Sequence, residues 1–207
     1  MITLFDHPRS GNCHKVRLLL SILRIPYESR FVEVLKGVNH EPWFVAINPL
    51  RQVPALTDGG YTIQDSQAVL TYLAGRYGPD WISREPEELA RIVEWLSFAA
   101  NEIGGSLQPA RLFYILGEEF DIAKLHEKGR RALAHLDAVL AERPWLAVDR
   151  PTIADLACFP YVGLSREGRL PLDEYRNVLG WIDRIVALDG YVTMEGLPPV
   201  PVGRSAR

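Results

Sequence analysis

Asn48-Pro49-Leu50-Arg51-Gln52-Val53-Pro54-Ala55-Leu56, with Gln64-Asp65-Ser66 a short strand later, describes a seat for a small peptide. Pro54 has no backbone N–H and suits the first residue of a strand or a sheet edge. It falls where a turn meets Ala55-Leu56-Thr57, leaving the Val53 backbone open to an extended partner. Asp65 and Ser66 then offer a carboxylate and a hydroxyl at a helix start, where unpaired N–H groups attract an anion. A backbone edge, an anion seat and a nearby carboxylate together hold both ends of an amino-acid-like ligand.

Outward from this stretch, the first half alternates strands and helices. Residues 2–5 read as a strand, and 12–23 as a helix with Val16, Leu19, Leu20 and Leu23 on one face. Pro26 breaks the pattern, and 27–34 read as a second strand. Residues 41–47 form a short helix ended by Asn48-Pro49. Segments 55–57 and 61–63 flank Asp58-Gly59-Gly60, a hairpin signal. Residues 66–77 are a helix whose stripe is Val69, Leu70, Leu73 and Tyr77. The order βαβ then αββα makes a small α/β sheet with parallel and antiparallel strands.

The run from Gly78-Pro79-Asp80 to Glu85-Pro86 reads as a linker. Beyond it only helical periods appear: Leu89, Ile92, Val93 and Leu96, then Leu133, Leu136 and Leu140, then Trp181, Ile185 and Leu188, stopping near Gly190. Gly104-Gly105 and Pro109 interrupt or end the first long helix, and the tail from Gly196, with Pro198, Pro199 and Pro201, reads as irregular. The division is therefore an α/β domain over 1–78, a linker over 79–86 and an all-helical domain over 87–207.

With 207 residues the chain can bury a core as one domain or two small ones. Its 24% charged and 47% hydrophobic residues are ordinary for a globular protein. A net charge of -3 with no Lys or Arg run disfavours nucleic acid. Met1 leads through Ile2-Thr3-Leu4-Phe5 to Asp6 without an apolar signal segment, and no apolar stretch is long enough to span a membrane. Cys13 and Cys158 stand far apart, which fits a reducing compartment. The expected location is cytoplasmic.

With an α/β half, the Val53-Pro54 turn, Asp65-Ser66 and a helical half in that order, the chain resembles the cytosolic glutathione transferases over nearly its whole length. The resemblance implies a thioredoxin-like first domain, a cis Val53–Pro54 bond, and a homodimer with glutathione near the interface. It implies an enzyme of detoxification with no permanently bound cofactor and no metal. The Val53 backbone would pair with the cysteinyl part of glutathione, with Gln52 close to the peptide, and Asp65 and Ser66 would hold its γ-glutamyl end. Lys36, Asn39 and His40 lie where the family often grips the glycine carboxylate, with Asn39 and His40 assigned to that contact.

Ser10-Gly11-Asn12-Cys13 occupies the place of the Cys-x-x-Cys pair of thioredoxin-like proteins, with serine first. A cysteine there would form mixed disulfides, whereas a serine can only hydrogen-bond to a thiolate that the ligand supplies. A free thiol of pKa about 8.5 is only about 3% ionised at pH 7, and lowering that pKa by about two units takes roughly 2.7 kcal/mol. One hydrogen bond to a charged group contributes on the order of 1.5–3 kcal/mol, and a helix N-terminus about 0.3–1 kcal/mol. Ser10 and the start of its helix therefore suffice. Serine is also a common N-cap, and Asn12 is a competitor, since some bacterial members of the family use an asparagine here. No tyrosine precedes Tyr27, so the tyrosine-dependent branch does not fit.

Around this core, Cys13 reads as a small packing residue and Cys158 as structural. His7 and Arg9, just before Ser10, could border the second substrate's pocket, and Arg9 could hold an anion. Thr152-Ile153-Ala154-Asp155 has the spacing of a capping box with a shortened acid. Trp43, Trp81, Trp95, Trp145 and Trp181 default to packing. Phe98, Phe113, Tyr114 and Tyr161 are the aromatic candidates for an electrophile pocket. Three activities follow: thiol transfer to a small electrophile, glutathione-dependent reduction of a disulfide or peroxide, or glutathione binding without catalysis.

Overall fold

The computed structural model describes residues 1–201; the remainder of the expected helical domain and its tail, 202–207, lies outside the described residues. Among them the strands are β1 (Ile2–Asp6), β2 (Tyr27–Phe31), β3 (Ala55–Asp58) and β4 (Tyr61–Gln64), in the sheet order β2-β1-β3-β4. β1 runs parallel to β2 and antiparallel to β3, and β3 turns into β4 through Gly59 and Gly60, at φ of 56° and 90°. Such positive φ values suit residues without a Cβ. The parallel crossover is α1 (Gly11–Ile22), and α2 (Pro42–Val45) and α3 (Ser66–Tyr77) flank the hairpin.

Strand alternation divides the core between two faces. Leu4 and Leu56 join Val16, Leu19, Leu70 and Leu73 from α1 and α3, while Phe5 and Ala55 turn to Phe44 of α2. β2 ends three residues earlier than the sequence pattern predicts: Val32 is buried in that second face and the chain then enters a 3-10 turn at Val34–Lys36. α2 is four residues long rather than seven, because Asn48 staples the following turn, accepting from Leu50 N–H and donating to the Gln52 carbonyl. Tyr77 does not complete the buried stripe of α3. It is 39% exposed, and its hydroxyl bonds to Asp58.

After a 3-10 turn at Pro79–Trp81 the helices are α4 (Pro86–Phe98), α5 (Leu107–Leu116), α6 (Ile122–Glu142), α7 (Ile153–Gly163) and α8 (Arg176–Val186). α4 departs from its expected stripe at Val93, which is 49% exposed, while Trp95 joins Ile92 and Leu96 in the core. At about 100° per residue, Ile92, Trp95, Leu96 and Ala99 share one face of the helix, and Val93 lies beyond the edge of that face. A π-helical turn, Ala99–Ile103, separates α4 from α5. Pro109 sits in the first turn of α5, where a missing N–H costs little. From Gly196 to Pro201 the backbone is turn and irregular, as its prolines lead one to expect.

Every residue of α7 from Ile153 to Val162 is buried, and α7 packs on both α1 and α4, joining the two halves. Its start is the expected capping box: Thr152 Oγ1 accepts from Ala154 N–H, and Asp155 Oδ2 accepts from Thr152 N–H at 2.9 Å. Asp155 Oδ1 also accepts from Leu146 N–H at 2.9 Å and Trp181 Nε1–H at 3.0 Å, tying α8 to the cap. Burial pushes its pKa up, and these donors pull it down.

A second tie is His14 of α1, fully buried, whose Nε2 bonds to the Val192 carbonyl at 2.8 Å while Nδ1 has no partner among the described residues. Burial lowers its pKa from 6.5 to about 4. The unfolded chain therefore takes up a proton near 6.5 that the folded chain refuses until about 4. Stability present above 6.5 is expected to fall through that window, by on the order of 3 kcal/mol. Urea midpoints across pH should show a smaller loss in His14→Gln than in wild type; equal losses would assign the sensitivity to other groups.

Candidate active site

The loop 7–9 leaves β1 and delivers Ser10 to the start of α1. Ser10 N–H bonds to the His7 carbonyl at 3.0 Å, and its Oγ accepts from Cys13 N–H at 3.2 Å. The hydroxyl oxygen is used as an acceptor, and its hydrogen has the buried Cys13 thiol within hydrogen-bond reach, a weak acceptor that a ligand anion at the cavity would outcompete. Two arginines fix this loop. Arg17 binds the Asp6 carboxylate and the His7 and Pro8 carbonyls, the latter at 3.0 Å. Arg111, on α5, pairs with Glu167 and donates to the Arg9 carbonyl at 3.1 Å. Cys13 is fully buried and burial pushes its thiol up to about 12, so it is a poor nucleophile. Asn12 is half-buried, and its side chain makes no hydrogen bond among the described residues.

The Val53–Pro54 bond is cis, Pro54 is buried, and β3 begins immediately after it. The Val53 N–H and C=O find no partner among the described residues. Gln52 is exposed beside them, with its carbonyl held by Asn48. Asn39 and His40 both brace Arg51: Asn39 donates to its carbonyl at 2.8 Å, and His40 Nδ1 lies 3.2 Å from its guanidinium. Lys36 is exposed and makes no ion pair among the described residues.

Asp65 caps α3 at φ 71°, an uncommon conformation for a residue with a Cβ. Its Oδ1 accepts from Gln67 and Ala68 N–H at 2.9 and 3.0 Å, leaving Oδ2 for another donor. Ser66 is buried, and its hydroxyl donates to Gln67 Oε1. Lys15, fully buried on α1, adds a positive charge that Asp65 feels; burial draws its pKa down to about 8.

A cavity of about 160 Å³ opens between the halves at Ser10. The α/β half contributes His7, Arg9, Ser10, Val34, Leu35 and Val53; the helical half contributes Gln108, Arg111, Leu112, Ile115, Leu116 and Tyr161. His7 and Arg9 thus stand in the wall. His7 has its pKa lowered by burial, against the pull of Glu33 at 3.7 Å. Of the four aromatic candidates, Tyr161 lines the cavity. Phe98 packs on Trp95 and His135, and Phe113 on Tyr114, which stacks on His126 beneath Arg169. The aliphatic wall of α5 escaped the sequence reading. Leu112, Ile115 and Leu116 do show i, i+3, i+4 spacing, but spacing does not say what a stripe faces. A hydroxyl donor and a helix N-terminus beside an apolar pocket can hold a soft anion against an uncharged reactant. Among the described residues no group of three or more His, Cys, Asp or Glu is placed to hold a metal ion.

Two family models match: that of the glutathione S-transferase N-terminal domain over residues 4–81, and that of the C-terminal domain over 106–189. The disulfide-bond oxidoreductase YfcG of Escherichia coli is 30% identical, over 89% of this chain and 90% of that protein. A glutathione S-transferase structure from Pseudomonas fluorescens superposes with a TM-score of 0.89 at 28% identity, covering 94% of this chain and 98% of the other. A glutathione transferase from Phanerochaete chrysosporium in complex with oxidized glutathione superposes at 0.85 with 26% identity, covering 91% and 92%.

Proposed function

Because this chain belongs to the cytosolic glutathione S-transferase family, we propose that it binds reduced glutathione, ionises its thiol beside Ser10 and directs the sulfur at a small electrophile. The observation that carries this is the Ser10 hydroxyl at the start of α1, in the wall of a cavity that Val53, with its unpaired backbone, also lines. In this assignment the Val53 N–H and C=O pair with the cysteinyl residue in the manner of an added strand. Asp65 Oδ2 takes the γ-glutamyl amine, and the Ser66 end of α3 takes its carboxylate. Gln52 lies along the peptide. Asn39 and His40 act at the glycine end through Arg51, with Lys36 as the cation there. Residues 1–78 thus hold glutathione, 79–86 link, and the chain from 87 on supplies the electrophile wall, in a cytoplasmic homodimer serving detoxification.

Ser10 is favoured over Asn12 as the thiolate donor because Ser10 lies in the cavity wall and the Asn12 side chain does not. The catalysis is thiol activation and positioning, which need no bound cofactor. The electrophile is small, since 160 Å³ is below the roughly 300–1,000 Å³ of sites for drug-sized ligands.

A second reading, reduction of a disulfide or peroxide by the same thiolate, draws support from the 30% identity to a disulfide-bond oxidoreductase. Parallel assays with an aryl halide and a small disulfide separate the two, and conjugation is expected to predominate. Calorimetry should show glutathione binding. No heat at millimolar glutathione would leave a non-catalytic member of the fold.

A further inference from the structure

Tyr161 reaches from α7 across to the start of α1. Its side chain is only 6% exposed, yet it lines the cavity together with Ser10. The ring lies so close to α1 that a Cβ on Gly11 would stand 2.9 Å from its Cε1 and Cζ. The phenol oxygen faces the backbone N–H groups of Gly11 and Asn12, the first two amides of the helix, which find no carbonyl partner among the described residues. The phenol's own proton likewise meets no acceptor there.

We propose that Tyr161 is a second hydroxyl donor to the glutathione sulfur, relaying the positive end of α1 into the cavity opposite Ser10. This rests on glutathione being the ligand. With a ligand sulfur to donate to, the hydroxyl can accept from these two free amides, and the bonds in such a chain polarise one another. The two amides belong to the end of the helix that favours negative charge. Burial keeps the phenol pKa above its ordinary value, so the group retains its proton and donates at every physiological pH. Arg111 stands nearby but is engaged with Glu167 and the Arg9 carbonyl, which leaves Tyr161 as a neutral donor on the helical side. A ring that served only to pack against Gly11 would need no hydroxyl.

The test is the ionisation of bound glutathione, followed by the ultraviolet absorbance of its thiolate against pH. Tyr161→Phe keeps the ring and removes the donor. It is expected to raise the bound thiol pKa by about one unit, the scale of one charge-assisted hydrogen bond, with glutathione affinity nearly unchanged. Incorporating fluorotyrosine at 161, a more acidic phenol of nearly the same size, should move the same pKa downward. A wild-type titration with Tyr161→Phe superimposed on it would overturn the role of Tyr161 and leave the glutathione reading intact. If wild type itself binds glutathione without lowering its thiol pKa, the thiolate reading fails and the tyrosine proposal falls with it.

Discussion

Ser10→Ala is expected to lower the conjugation rate at neutral pH about 10²-fold, the scale of losing one pre-positioned donor to developing or resident charge. The hydroxyl oxygen already accepts from Cys13 N–H, which fixes the oxygen at the helix start while its hydrogen can turn to a ligand. Removing the group should raise the bound thiol pKa by about one to two units, because a bond to a charged acceptor contributes roughly 1.5–3 kcal/mol. Glutathione affinity should change little, since the Val53 backbone, Asp65 and Ser66 are untouched. The loss should therefore shrink as pH rises and the thiolate forms unaided. The same substitution removes an N-cap, at about 0.5–2 kcal/mol of stability, so unfolding is measured alongside. Ser10→Thr keeps both the cap and the donor and should restore most of the rate. The assignment fails if Ser10→Ala is active and Asn12→Ala is not.

Asp155→Ala should destabilise the fold by about 3–5 kcal/mol, the range in which breaking a buried polar network lies. Three buried donors, Leu146 N–H, Thr152 N–H and Trp181 Nε1–H, lose their acceptor together. Each unsatisfied donor costs about 1–3 kcal/mol, reduced where water enters the gap. Against a typical total of about 5–15 kcal/mol, much of the protein should unfold on modest heating. Thr152→Ala, which removes one capping bond, should cost only about 1 kcal/mol. Comparable urea midpoints for the two variants would show that Asp155 acts as a local cap and no more.

The contrast between these two variants separates local hydrogen bonds from those that depend on the whole fold. Thr152-Ile153-Ala154-Asp155 was visible as a cap because its hydrogen bonds span three residues. The bond from Trp181 to Asp155 was not, since it joins positions 26 apart through helices whose relative placement no local pattern records. The stripe of α4 failed for a related reason: Val93 and Ile92 are equally apolar, and only the positions of the neighbouring helices decide which one turns inward.

At the site, the half proposed to hold glutathione could be read locally: Ser10 at a helix start, Pro54 before a strand, Asp65-Ser66 opening a helix. These are backbone matters, settled by which residues lack an N–H, cap a helix or permit a turn within a few positions. The opposite wall came from how the helices pack. The tertiary structure selected Tyr161 from four aromatic candidates, brought Leu112, Ile115 and Leu116 to face Ser10, and turned Asn39 and His40 to bracing Arg51. The cavity between the two halves is lined by residues 55 to 154 positions apart, and their meeting depends on how α7 packs against α1. Packing of that kind is set by the shape of the whole core, which no short stretch of sequence contains.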